Sequence, residues 1–251
     1  MDLTKLRHIA CVMLLLLGCA EAQAQDNDMI LNRPYADTKR VHFGFSVGMN
    51  FQNLAITNNG KIFDDFLVME EWYADVPAHS PGFSVNMLAD FRIAEHFNLR
   101  VSPGLYFGNK IVHFRNHKAT SGQEIPDFYE QRQNIKSTYL VVPIDLKMSA
   151  KRYHNIRPYF TTGVMCTVDL AKDRSEQYKL KDSDVMLTVG MGCDFYMPFF
   201  KLCPEVKFCF GLKNLLEKNR PDLVERESEY HFTESVNKIK SDMVVVTFYF
   251  E

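Results

Sequence analysis

Apolar and polar residues alternate with a period of two along most of this chain. The clearest run places Phe200, Leu202, Pro204, Val206, Phe208, Phe210 and Leu212 in one set and Lys201, Cys203, Glu205, Lys207, Cys209 and Gly211 in the other. Successive side chains of a strand point to opposite faces, so this spacing predicts an extended strand with one greasy and one polar face. The first such run carries Val41, Phe43, Phe45, Val47, Met49 and Phe51 on one side and His42, Gly44, Ser46, Gly48 and Asn50 on the other. The same alternation recurs over residues 83–92, 97–108, 138–148, 158–168, 185–195 and 242–250.

These runs give eight strands of roughly 10–12 residues, a length that suits a tilted strand crossing a bilayer. Their connections alternate strictly. Long polar stretches at about 52–80, 109–137, 169–183 and 213–240 follow strands one, three, five and seven; short turns near 93–96, 151–156 and 197–198 follow strands two, four and six. The expectation is an all-β fold: an eight-stranded antiparallel up-and-down transmembrane β-barrel with long extracellular loops and short periplasmic turns. The competing reading is a soluble antiparallel barrel or sandwich, lipocalin-like, with the apolar face turned inward.

Three features weigh against the soluble reading. Glycines crowd the polar face, where in water they would only weaken a strand; inside a narrow barrel they leave room for bulky neighbours. Aromatic residues gather at the strand ends, as girdle residues do. The polar face also mixes charges of both signs, Asp90, Arg92, Arg100, Asp145, Lys147, Asp194, Lys201, Glu205 and Lys207, which could pair across a lumen. Eight strands enclose an interior just wide enough for side chains, which argues against a wide channel. Function is then expected in the outer loops, the turns, the N-terminal lead or the lipid-facing wall.

The N-terminus changes the picture by setting the compartment. Residues 1–24 read as a secretory signal peptide, with Lys5 and Arg7 before the apolar run 11–17 and an A-x-A site at Ala22–Ala24. Leu16-Leu17-Gly18-Cys19 leaves a lipoprotein signal open as an alternative. Residues 25–40 are then a periplasmic lead and 41–251 the barrel. A formal charge of −2 argues against a nucleic-acid surface. Of six cysteines, Cys11 and Cys19 leave with the signal; Cys166, Cys193, Cys203 and Cys209 show neither C-x-x-C nor zinc spacing. Cys193 and Cys203 face opposite sides of the sheet, a poor geometry for a disulfide.

Candidate chemistry is sparse. His113 and His117 lie four apart, but their segment lacks a helical period and the glutamate of a zincin. His79, Ser80 and Asp75 near the first loop and Ser228 and His231 in the last are loose material for a rim-located hydrolase, with nothing pairing them. No catalytic, metal or cofactor residue is assigned, and no small-molecule substrate is expected. Trp72 and Tyr73, after Glu70 and Glu71, are a candidate contact patch. Asn32, Arg33, Pro34 and Tyr35, within NRPYAD before the first strand, either cap the barrel floor or bind a periplasmic partner.

The chain resembles the PorT family of Bacteroidota outer-membrane proteins. The likeness is carried by NRPYAD (32–37), HFGFSVGMN (42–50), SPGFSV (80–85), VVPIDLK (141–147), RPY (157–159), GCDFYMPFFKLCPEVKFCFGL (192–212), LLEKNRPDL (215–223) and the closing VVVTFYFE. The first two loops carry little of it. The resemblance implies a non-enzymatic barrel required by the type IX secretion system, which exports cargo bearing a C-terminal signal domain. Its implied partners are outer-membrane lipid and other components of that system.

Overall fold

In three dimensions the period-two segments pair edge to edge until the last meets the first. The computed structural model describes residues 32–58, 63–65, 68–70, 72–75, 80–116, 130–170, 182–215 and 236–251. The signal-peptide segment 1–24 and the start of the lead, 25–31, lie outside these residues. The strands are β1 (Val41–Asn58), β2 (Phe63–Asp65), β3 (Val68–Glu70), β4 (Trp72–Asp75), β5 (Ser80–Arg92) and β6 (Phe97–Val101). They continue with β7 (Gly104–Asn116), β8 (Glu130–Ser149), β9 (Ile156–Asp169), β10 (Ser183–Tyr196), β11 (Lys201–Gly211) and β12 (Val236–Phe250).

All pairings are antiparallel. β1 lies between β5 and β12, and the order runs β12-β11-β10-β9-β8 to β6 and β7, which both return to β5. The ring therefore has no open edge at its waist, which removes the unpaired strand edges that drive aggregation.

β6 and β7 are one strand of the ring with an interruption. Their pairing to β5 keeps the same register on both sides of the break (Ala89↔Val101, Asn86↔Gly104), and so does their pairing to β8 (Val101↔Ile144, Gly104↔Val141). The break falls at Ser102-Pro103, where Pro103 supplies no N–H to the ladder. Its carbonyl still accepts from the Met87 amide at 2.9 Å.

Polarity is reversed relative to a water-soluble domain. Large apolar side chains project outward around the circumference: Phe43 (74% exposed) on β1, Met87 (73%) on β5, Val164 on β9, Met191 on β10 and Phe248 on β12. Each forfeits roughly 1.5–3 kcal/mol if left in water rather than buried, so the wall calls for an apolar surround. Outward aromatics stack between register partners, Phe45 on Phe250 at 5.1 Å and Phe83 on Phe107 at 4.6 Å between centroids. The interleaved positions are buried and mostly polar: Ser46, Asn50, Asn86, Asp90, Arg100, Asp145 and Thr188.

The expected loop boundaries need correction. Residues 109–116 and 130–137, expected within a long loop, both belong to the β7–β8 hairpin, which stays paired from Asn109↔Lys136 to Arg115↔Glu130. β4 then adds to β7 from Trp72↔Asn116 to Asp75↔His113. Likewise β1 runs on to Asn58 and β12 starts at Val236. Backbone pairing continues where the outward residues cease to be apolar, so the alternation marks only the part of each hairpin inside the greasy band.

Candidate functional site: the lumen charge chain and its floor

The inward register of seven neighbouring strand segments brings residues far apart in sequence to one level of the barrel. Arg100 on β6 sits opposite Asp90 on β5 and Asp145 on β8. Its guanidinium contacts Asp90 (3.2 Å), Glu205 on β11 (3.0 Å) and Glu251 just beyond β12 (3.2 Å), with every partner buried. The Tyr249 and Tyr159 rings lie 4.6 and 5.3 Å from its Cζ, so the cation is both paired and stacked. Asn98 donates to the other Asp90 oxygen, and Tyr159 Oη donates to Glu205 at 2.9 Å.

The remaining charges extend this centre into a continuous alternating chain. Lys147 binds Asp194 at 2.7 Å and lies 4.1 Å from the Tyr159 ring centroid. Lys201 bridges Asp194 (3.8 Å) and Glu251. Lys207 bridges Asp145 (2.6 Å) and Glu205 (3.2 Å), while Thr188 Oγ1 donates to the second Asp145 oxygen at 2.7 Å. Four cations thus meet five carboxylates with almost no water contact. A buried charge is tolerated only when paired and hydrogen-bonded, and nearly every member here has two or more partners.

Eight of the nine lumen charges read from the sequence join this chain; Arg92 does not. It lies at the end of β5, half-exposed, with no ion pair among the described residues. Its inward register is right, but the strand ends there and the side chain reaches the rim. Glu251, Tyr159, Tyr249, Asn98 and Thr188 belong to the site and were missed. The tyrosines do stand at polar-face positions, which is the one signal that marks them in sequence.

Toward the long connections the lumen turns apolar. Tyr106, Tyr139, Val141, Met165, Met186, Cys209, Met243 and Val245 pack as one buried cluster. Along β8 the inward residues read Ser149, Lys147 and Asp145 near the turn end, then Val141 and Tyr139 nearer the loops. An ion crossing this barrel would meet a filled charge layer and then the packed apolar cluster. Glycines make the filling possible. A Cβ on Gly192 would stand 2.5 Å from the Tyr159 ring, and one on Gly108 would stand 2.4 Å from the Gln52 amide.

The NRPYAD segment closes the turn end of the barrel. The Asn32 amide donates to Asn155 Oδ1 and Asn32 Nδ2 to the Tyr196 carbonyl, both at 3.0 Å. Arg33 Nη1 donates to the Glu251 carbonyl at 3.0 Å. Ala36–Thr38 forms a single 3-10 turn that presents Asp37 to three donors: Arg152 (3.4 Å), Arg157 (3.2 Å) and the Tyr196 hydroxyl. Arg152 also donates to the Asn32 and Arg33 carbonyls and stacks 3.5 Å from the Tyr196 ring. Arg157 reaches across to the Glu95 carbonyl (2.7 Å) in the first turn. Of the two readings for this segment, the geometry is that of a floor cap. Asn32 and Arg33 are spent on it; Pro34 and Tyr35 stay exposed.

The other candidates do not assemble into a site. Trp72 and Tyr73 are placed by backbone in β4, and their side chains lie outside the described residues, as do Glu71, His79, His117, Ser228 and His231. His113 sits on β7. Among the described residues no group of three metal-ligating side chains converges. Cys166, Cys193, Cys203 and Cys209 are free thiols, with Cys203 buried and Cys193 only partly so.

Comparison with known proteins places this architecture. The model of the outer membrane protein beta-barrel domain family matches residues 22–217. No curated protein sequence matches the chain. Similar solved structures include OprG from Pseudomonas aeruginosa, at 15% identity and TM-score 0.44, over 84% of this chain and 92% of that one. Neisserial surface protein A (NspA) is 11% identical with TM-score 0.39, over 84% and 98%. Ail of Yersinia pestis, in complex with the heparin analogue sucrose octasulfate, is 10% identical with TM-score 0.36, over 84% and 99%.

Proposed function

We propose, from the premise that this chain belongs to the outer membrane protein beta-barrel domain family, that it is a non-enzymatic outer-membrane component of type IX protein secretion acting through protein contacts. The observation that carries the reading is the filled lumen. A barrel packed with a charge chain and an apolar layer is no conduit for a folded cargo or a free solute. Its work then falls to its surfaces. The secretion role itself comes from the PorT resemblance, whose carrying residues include the floor cap and Arg157 of the RPY motif that holds it. In this reading residues 1–24 are the export signal, the short turns face the periplasm and the long connections face outward.

Deletion of the gene tests the proposal. Cargo proteins bearing the C-terminal signal domain should accumulate unprocessed in the periplasm, and restoring the gene should return them to the surface and supernatant. Normal cargo localisation in the deletion strain would remove the secretion role and bring forward two alternatives, an outer-membrane enzyme at the rim or a general structural or adhesive barrel.

A further inference from the structure

The turn end of the barrel is a preassembled face with a charge of its own. The cap is tied to the second turn through Asn155 and Arg152, to the end of β10 through the Tyr196 carbonyl, and to the end of the chain through Glu251. Arg157 ties it to the first turn. A surface held at this many points loses little conformational freedom on binding, which lowers one of the costs of association.

This face is basic and aromatic. Arg152 and Arg157 share one carboxylate, Asp37, and Arg33 beside them donates to the Glu251 carbonyl. Lys39, Arg40, Arg92 and Lys151 surround them with one further carboxylate, Glu95. Among the described residues of this face seven cations stand against these two carboxylates, in a chain whose total charge is −2. The upstream acids Asp26 and Asp28 could offset only part of this excess. From the same face Phe199 (92% exposed), Tyr35 (76%) and Tyr153 (56%) project as large apolar side chains. Aromatic anchors among cations are the make-up of a protein-binding hot spot with electrostatic steering.

We propose that this face, with Tyr35 and Phe199 as anchors and Lys39 and Arg40 as steering charges, docks an acidic protein surface on the periplasmic side. A protein fits better than lipid because the cap spans the barrel mouth, whereas lipid surrounds the wall. This inference rests on the reading that the barrel acts through protein contacts.

The test is photo-crosslinking in cells with p-benzoylphenylalanine replacing Tyr35 or Phe199, and replacing lipid-facing Phe45 as the control. The expected result is a discrete protein adduct from positions 35 and 199 and none from 45. The double variant Lys39→Glu, Arg40→Glu should lower that adduct about tenfold and impair cargo export in parallel. Gel mobility with and without boiling checks that the barrel still forms. Should the reversal lower barrel levels, Lys39→Gln with Arg40→Gln is read at matched levels. Adducts to lipid alone, to residues 25–31 of the same chain, or none at all would overturn the proposal, as would a protein adduct indifferent to charge. A deletion strain with normal cargo sinks the secretion role whatever the crosslinks show. A cargo defect in the deletion strain, with export and adducts untouched by charge reversal, sinks only this face.

Discussion

Arg100 shows how a single residue organises this interior. It contacts three carboxylates and two tyrosine rings, all brought from other strands. Arg100→Ala strands those carboxylates without their cation, and the expected loss is roughly 3–5 kcal/mol, measured by urea unfolding in detergent micelles. Arg100→Met with Asp90→Leu and Glu205→Leu should cost far less than the single truncation, because replacing buried ions by packed apolar groups is often near neutral. Equal losses in both variants would mean the chain is not limited by unpaired charge. Gly192 makes the complementary point. Its inward hydrogen leaves space for the Tyr159 ring, so Gly192→Val should displace that ring and detach its hydroxyl from Glu205. A lowered temperature for the boiling-dependent gel shift is the readout, and an unchanged one would show that the ring can yield.

The floor cap is the element whose stability is most separable from the rest. It is held by Asp37, whose two oxygens serve two arginines and a tyrosine. Asp37→Asn removes the charge from bonds worth about 1.5–3 kcal/mol each. Amide exchange at Asn32 and Ala36 should quicken by at least tenfold, while β9 and β10 stay protected. Quickened exchange spreading into the strands would instead mean that cap and barrel unfold together. Element type and the division into two faces were legible from the alternation, since Phe43 and Ser46 fall on opposite faces by position parity; that Phe43 faces outward rested on the connection pattern and on the glycines and mixed charges of the polar face. Element ends were not legible. The β7–β8 hairpin stays paired beyond the last position of the strict alternation, and Pro103 breaks the ladder without breaking the register. The reason is that the alternation records the solvent each face meets, whereas strand length is set by how far two backbones remain paired.

Across the whole molecule the layered lumen predicts a non-conducting barrel. Reconstituted in planar bilayers, the protein should show no steady ion current at neutral pH, and a sustained current would overturn the sealed-lumen reading. Eight strands and the division of their residues into two faces are local properties of the sequence: period and spacing depend only on neighbours along the chain, so they could be read without coordinates. Which charge meets which could not. Arg100 finds Glu205 and Lys147 finds Asp194 through the closed register of strands separated by long connections. The same closure puts Val141, Met165 and Met243 at one level as an apolar layer and excludes Arg92 at the rim. It also carries residues 32–37 across the barrel mouth to Arg152 and Arg157, a choice between capping and partner binding that sequence left open. Pattern sets where each side chain points; only the folding of the ring sets what it points at.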